Sequence, residues 1–107
     1  MVERGIVVIC SYQPKPGHED VARRLMAQHV PLLRRHGLIT ERAVVQGAGK
    51  NGELVEIFEW ASEEKSRSAP GIPEIGAHWK AMREAMDFIP LASLPEAQRS
   101  FAHFTPV

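Results

Sequence analysis

The sequence predicts an α+β fold of ferredoxin-like type, a β-α-β-β-α-β antiparallel sheet with both helices on one face. Three observations predict it. A β-branched apolar run near the start is cut by a proline-glycine stretch and followed by a segment of helical periodicity. Two further strand-like runs are joined by a glycine-rich turn. A second helical face and a short strand-like tail complete the order. At 107 residues the chain reads as one domain, residues 1–107, since a domain takes about 100–200 residues.

Each element has a local cause. Residues 5–12, Gly-Ile-Val-Val-Ile-Cys-Ser-Tyr, favour a strand, and the prolines at 14 and 16 stop it because proline lacks the amide that pairing needs. Over residues 18–36, Ala22, Leu25, Leu32 and Leu33 recur at helical spacing, and Gly37 supplies the left-handed position that closes a helix. Pro31 removes the bond to Ala27, so a kink or a division of the last turn is expected. Residues 39–46 and 53–60 read as a hairpin around Gly47-Ala-Gly-Lys-Asn-Gly52, whose glycines tolerate positive φ. Ser62 has the chemistry of an N-cap for a short helical turn over residues 63–68, which Pro70-Gly-Ile-Pro73 interrupts. Pro73 suits the first turn of the second long helix, where Ile75, Trp79, Met82 and Met86 stack on one face until Pro90 ends it. Residues 101–105 read as the last strand, and residues 90–100 as a loop whose conformation the sequence does not specify.

Composition narrows the function. Hydrophobic residues make up 44% and charged residues 24%, the balance of a globular domain and not of a disordered one. Basic and acidic residues are equal at 13 each, which leaves no surplus field for a nucleic-acid backbone or an anionic membrane. A single cysteine, Cys10, permits no internal disulfide and no multi-thiolate zinc cluster, and predicts a reducing compartment. The longest apolar run, residues 6–10, is too short for a membrane span or a signal-peptide core, so a cytoplasmic location is expected. No P-loop, Gly-x-Ser-x-Gly elbow or His-Glu-x-x-His helix is present.

Strands one and three are apolar on both alternations: Ile6, Val8 and Cys10 against Val7 and Ile9, and Leu54 and Phe58 against Val55 and Ile57. Two helices cover one face only. A second subunit on the other face is the simplest cover, so a two-fold homodimer is expected.

On strand three, Glu56, Phe58 and Trp60 share one face, which allows a carboxylate and an indole to line the same cavity. A buried carboxylate there can serve as a general base, whereas an exposed one is an ordinary strand residue or an ion-pair partner of Arg42. His78 lies beside Trp79 with Ile75 and Met82 one turn to either side, where an imidazole can exchange protons, ligate iron or donate a single bond. His18, His29 and His36 are expected in solvent or cap roles, because Pro31 disturbs any shared register. His103 is a candidate for the pocket lining by alternation with Phe101. Cys10 reads as a small core residue, and Tyr12 at a strand end can point its hydroxyl into a pocket mouth.

The Pro16-Gly17 pair before an amphipathic helix, the Gly37 turn, a third strand reading Glu-Ile-Phe-Glu-Trp60, the acidic short helix after it and the helix containing His78 resemble the antibiotic biosynthesis monooxygenase family. That family belongs to the dimeric α+β barrel superfamily, and the resemblance runs from Val7 to about Met86. It implies a pocket in each subunit between helices and sheet, and a dimer in which the opposite sheet faces close a barrel. It also implies a choice among cofactor-free oxygenation of activated polyphenols, haem binding and degradation, quinol oxidation, and no established reaction.

Trp60 matches the family's tryptophan, while the asparagine four residues earlier is replaced here by Glu56. In the haem-degrading branch a histidine of the second helix is the axial ligand, which His78 matches. That branch's first-strand asparagine is replaced here by Cys10, and its tryptophan ahead of the helix is missing from Ser68-Ala-Pro-Gly71. Haem is therefore not expected, and no cofactor or metal is assigned. The expected function is a cofactor-independent monooxygenase or oxidase acting on a small activated aromatic, phenolic or quinol substrate. Glu56 or His78 would be its base, with Tyr12, Cys10, Phe58, Trp60 and Met82 around the ring. The alternative is a non-catalytic dimer that binds a small apolar ligand or serves as an interaction module.

Overall fold

The computed structural model describes residues 5–107; residues 1–4 of the expected domain lie outside them. β1 (Ile6–Pro14) pairs antiparallel with β3 (Leu54–Trp60), from Ile6 opposite Trp60 to Tyr12 opposite Leu54. β2 (Val45–Ala48) flanks β3, β4 (Met86–Ile89) flanks β1, and the two-residue β5 (Thr105–Pro106) borders β2. The sheet order is β4-β1-β3-β2-β5, antiparallel throughout. Two long helices, α1 (Glu19–Arg35) and α3 (Pro73–Ala85), pack on each other, and the short α2 (Glu63–Ser68) follows β3. This α+β architecture is compatible with a ferredoxin-like fold.

The helices bury one sheet face in two linked clusters. Leu33, Phe58, Trp60 and Ile75 meet at one end, Tyr12, Met26, Leu54 and Met82 at the other, and Trp79 packs against both. α1 starts where Glu19 accepts the Gly17 amide at 2.9 Å, with Glu19 and Asp20 in the first turn and Arg34 and Arg35 in the last, as the helix dipole favours. Gly37, at φ +67, turns the chain out of it and Leu38 donates back to the Leu33 carbonyl at 3.0 Å. Ser62 caps α2 by accepting the Lys65 amide at 3.1 Å.

Several boundaries differ from the sequence expectation. Pro31 does not divide α1, which runs unbroken to Arg35; one intrahelical bond is lost while Val30, Leu32 and Leu33 stay buried around it. β2 occupies residues 45–48 and not 39–46, because Ile39 makes only an isolated bridge to Trp60 while Gly47 and Ala48 pair with Val55 and Leu54. α3 ends at Ala85, and Met86, expected on the helix, opens β4 in an extended conformation. Pairing with Ser11–Pro14 of β1 decides this, and Met86 remains buried beside Met82. The expected strand over residues 101–105 reduces to Thr105–Pro106, with Phe101 exposed.

The tail also alters the outer face of the sheet. Along the cross-strand row Ser11–Val55–Gly47, Ser11 and Val55 are buried although the helices lie on the other side. The turn at Leu91–Ser93 contacts β1, and Phe104 approaches Gly47 so closely that a Cβ there would lie 3.0 Å from the Phe104 Cβ. The adjoining row Ile9–Ile57–Val45 is left open: Ile9 is 45% and Val45 60% exposed, with Val7 beside them at 59%.

Candidate functional site

Where β4 runs out beside β1, a cavity of about 290 Å³ opens between the sheet and the helices. Rings form most of its wall: Tyr12 and Phe88 meet edge-on at 5.1 Å, Phe58 and Trp60 at 5.2 Å, and Trp60 and Trp79 at 6.5 Å. Cys10, Met82, Ile9 and Ile89 add apolar lining, and Ser11 of β1 and His29 of α1 join it. Such a volume lies at the small end of ligand pockets.

Behind the wall lies a buried polar network. Glu56 sits between Cys10 and Gln46 in one row across β1, β3 and β2, and it is fully buried because the inner alternation of β3 carries it beneath α1. Its Oε2 accepts the Tyr12 hydroxyl at 2.5 Å and His29 Nδ1 at 2.8 Å, and its Oε1 accepts Gln46 Nε2 at 3.2 Å. Acceptance at every contact is the role of an ionised carboxyl. Three donors offset the desolvation of the group, which alone would be strongly unfavourable in this setting.

Trp79 fixes the tautomer of His29. Its indole nitrogen is a donor only, and it points at His29 Nε2 over 2.8 Å. Nε2 therefore offers its lone pair, and Nδ1 carries the proton given to Glu56. The chain of bonds thus reads Trp79 to His29 to Glu56, with Tyr12 entering from the other side.

Burial and the neighbouring Glu56 charge push the Tyr12 hydroxyl far above its ordinary range, so it stays a donor. Burial first, and then Glu56, pushes the Cys10 thiol up to about 11. It is a small lining residue and not a thiolate nucleophile.

The candidates from the sequence are thereby divided. Tyr12, Cys10, Phe58, Trp60 and Met82 line the cavity. Glu56 lies directly behind it, reached through Tyr12 and His29, and it does not pair with Arg42, whose Nε lies 3.2 Å from Glu59. His78 lies outside the cavity. Its Nε2 faces the Leu25 carbonyl at 2.9 Å, its ring stacks on His29 at 5.9 Å, and it borders a groove between α1 and α3. His103 borders a separate hollow with Lys50, Glu96 and Arg99.

His29 corrects the expectation of a solvent or cap role, being 3% exposed. The signal for it is in the sequence: Ala22, Met26, His29 and Leu33 form a continuous helical stripe, and all four are buried. His18 and His36 do stay near the surface, His36 beside Glu74 at 3.2 Å. Among the described residues, no three His, Cys, Asp or Glu side chains gather as a metal-ligand set. Comparison of the chain with protein-family models, with curated proteins and with solved structures finds no match.

Proposed function

We propose that the cavity binds a small, uncharged aromatic compound, a phenol or quinol, and that the protein oxidises it with molecular oxygen as a cofactor-independent monooxygenase or oxidase. One observation carries this reading: a buried His29–Glu56 pair ends against a cavity walled by aromatic rings. The rings suit a flat apolar ligand, and among the described residues no Lys or Arg side chain borders the space to attract a carboxylate or phosphate.

In this reading the substrate hydroxyl gives its proton to His29 Nε2, and Glu56 stabilises the resulting imidazolium through Nδ1–H. The electron-rich anion then gives an electron to oxygen. Recombination at the ring carbon opposite the hydroxyl forms a hydroperoxide, which loses water to leave a quinone. One oxygen atom enters the product and the other leaves as water. With a quinol, two electrons pass to oxygen instead and hydrogen peroxide forms. Glu56 thus acts through His29, while Tyr12, Phe58 and Trp60 hold the ring.

The open row of Ile9, Ile57 and Val45 extends the proposal to assembly. Two copies joined by these outer faces would bury the patch and close a dimeric barrel, with Ile9, which also borders the cavity, at the seam.

Oxygen uptake with a panel of anthrones, naphthols and quinols tests the reading. Wild-type protein is expected to consume oxygen with at least one member, and His29→Phe, which keeps a ring in place, to lower the rate about a hundredfold, the loss typical of a general base. Ligand binding without consumption across the panel would favour the non-catalytic binding protein instead.

A further inference from the structure

We propose that Trp79 caps the proton acceptor of the cavity, and that a ligand hydroxyl displaces its indole N–H, so that the site selects aromatic ligands carrying a hydrogen-bond donor. This inference rests on the reading of the cavity as an aromatic-ligand site.

A neutral imidazole nitrogen has one lone pair. That of His29 Nε2 is taken by Trp79 at 2.8 Å, while Nδ1 is committed to Glu56 at 2.8 Å. A ligand hydroxyl can therefore reach the acceptor only when the indole withdraws. The other polar groups near the cavity offer little. The Tyr12 hydroxyl is spent on Glu56, the Cys10 thiol is a weak acceptor, and the Ser11 hydroxyl, though buried without a partner, borders the cavity from the outer alternation of β1, away from His29 and the helices.

Withdrawal of the indole need not move the helix. Ile75, Met82 and Ala85 hold α3 by their own burial, whereas Trp79 is only half-buried and lies between the two core clusters. Its ring stands edge-on to both Trp60 and His29, at 80° and 65°, so rotation about its side-chain bonds removes the N–H and leaves the ring against the aromatic wall. With the cavity empty, the indole satisfies an acceptor that would otherwise be buried and unpaired. With a phenol bound, one donor replaces another at little net cost. An ether or hydrocarbon of the same shape can only leave the acceptor unpaired or leave the indole in its way, and sites built around a hydroxyl discriminate strongly against such analogues.

The test compares 2-naphthol with 2-methoxynaphthalene, titrated into the full chain by calorimetry and followed by nitrogen-edited NMR of the Trp79 indole. In the free protein the indole N–H is expected to exchange slowly. Saturation with 2-naphthol should shift its resonance and speed its exchange, and 2-naphthol should bind at least tenfold more tightly than the ether. Trp79→Phe, which keeps a ring without the donor, should bind 2-naphthol about fivefold more tightly than wild type, a gain within the range of one hydrogen bond, and the ether no more weakly than wild type does. An indole N–H that remains slow in the 2-naphthol complex, or equal wild-type affinity for the two probes, overturns the proposal and leaves the aromatic-ligand reading standing. No binding of either probe to wild type or variant overturns both. The wild-type measurements decide the matter even where the variant folds poorly.

Discussion

Glu56 accepts a hydrogen bond from His29 over 2.8 Å, and this one contact ties the middle of α1 to the middle of β3. It joins a helix to a strand at the point where the sheet face is polar, and both partners are almost wholly shielded from water. Exchange of either group therefore alters the core and the site together.

Glu56→Gln is the sharpest case. The amide keeps the shape, yet one of its ends must be an NH2 facing Gln46, or else Tyr12 and His29, all of which donate. A loss of about 2–3 kcal/mol is expected in urea unfolding, because a charge-assisted bond is replaced by opposed donors in a buried place. Oxygen uptake should fall about a hundredfold while ligand binding survives, since Glu56 touches the ligand only through its neighbours. Unfolding midpoints equal to wild type would remove Glu56 from the structural role.

Alkaline pH should weaken the fold before it affects ordinary surface groups. Cys10 rises from 9.0 to about 11 in the folded protein and Tyr12 rises further. For a raised value, the unfolded chain releases its proton first, so stability is complete below the unfolded value and declines as pH climbs through the window above it. The Cys10 contribution should fade from pH 9 to about 11, and that of Tyr12 from about pH 10 upward. Urea midpoints taken from pH 8 upward should fall, and Cys10→Ala should flatten the first part of the decline. An identical slope in wild type and Cys10→Ala would contradict the shift.

Sedimentation equilibrium at micromolar protein should give about twice the monomer mass. Ile9→Lys places a charge at the β1 end of the open row and should yield monomer without loss of the helical circular dichroism signal. A wild-type monomer would defeat the proposed barrel.

Haemin titration should give no sharp Soret shift. His78 spends Nε2 on the Leu25 carbonyl and borders an open groove instead of the ring-walled cavity. A stoichiometric shift abolished by His78→Ala would reverse this assignment.

Local signals in the sequence account well for β1, β3, α2 and most of the two long helices, because each is specified by its own turn residues and periodicity, whereas β2 lies later than its apolar run suggests. What local signals miss is set by partners far along the chain. Met86 continues the spacing of Trp79 and Met82, so nothing nearby says that the helix has ended; only β1 supplies the ladder that makes residues 86–89 a strand. Glu56 has Arg42 as an obvious partner in sequence, but strand alternation sends Glu59 to Arg42 and Glu56 to the opposite face. His29 is obscured by Pro31, whose disturbance of the helix proves too small to break the buried stripe. The aromatic wall is legible from Tyr12, Phe58 and Trp60, whereas the pairing of Trp79 with His29 depends on how α1 and α3 meet.

The central position of β1 has a consequence for synthesis on the ribosome. This strand is made first, yet its neighbours are complete only when Trp60 and then Ile89 have been added. Until then the nascent chain carries an uncharged, β-branched run, residues 6–10, with no pairing partner on either edge, the composition most prone to associate with other chains. Fragments terminated before Met86 are therefore expected in the insoluble fraction of a translation reaction, whereas chains that reach Ile89 should stay in the supernatant.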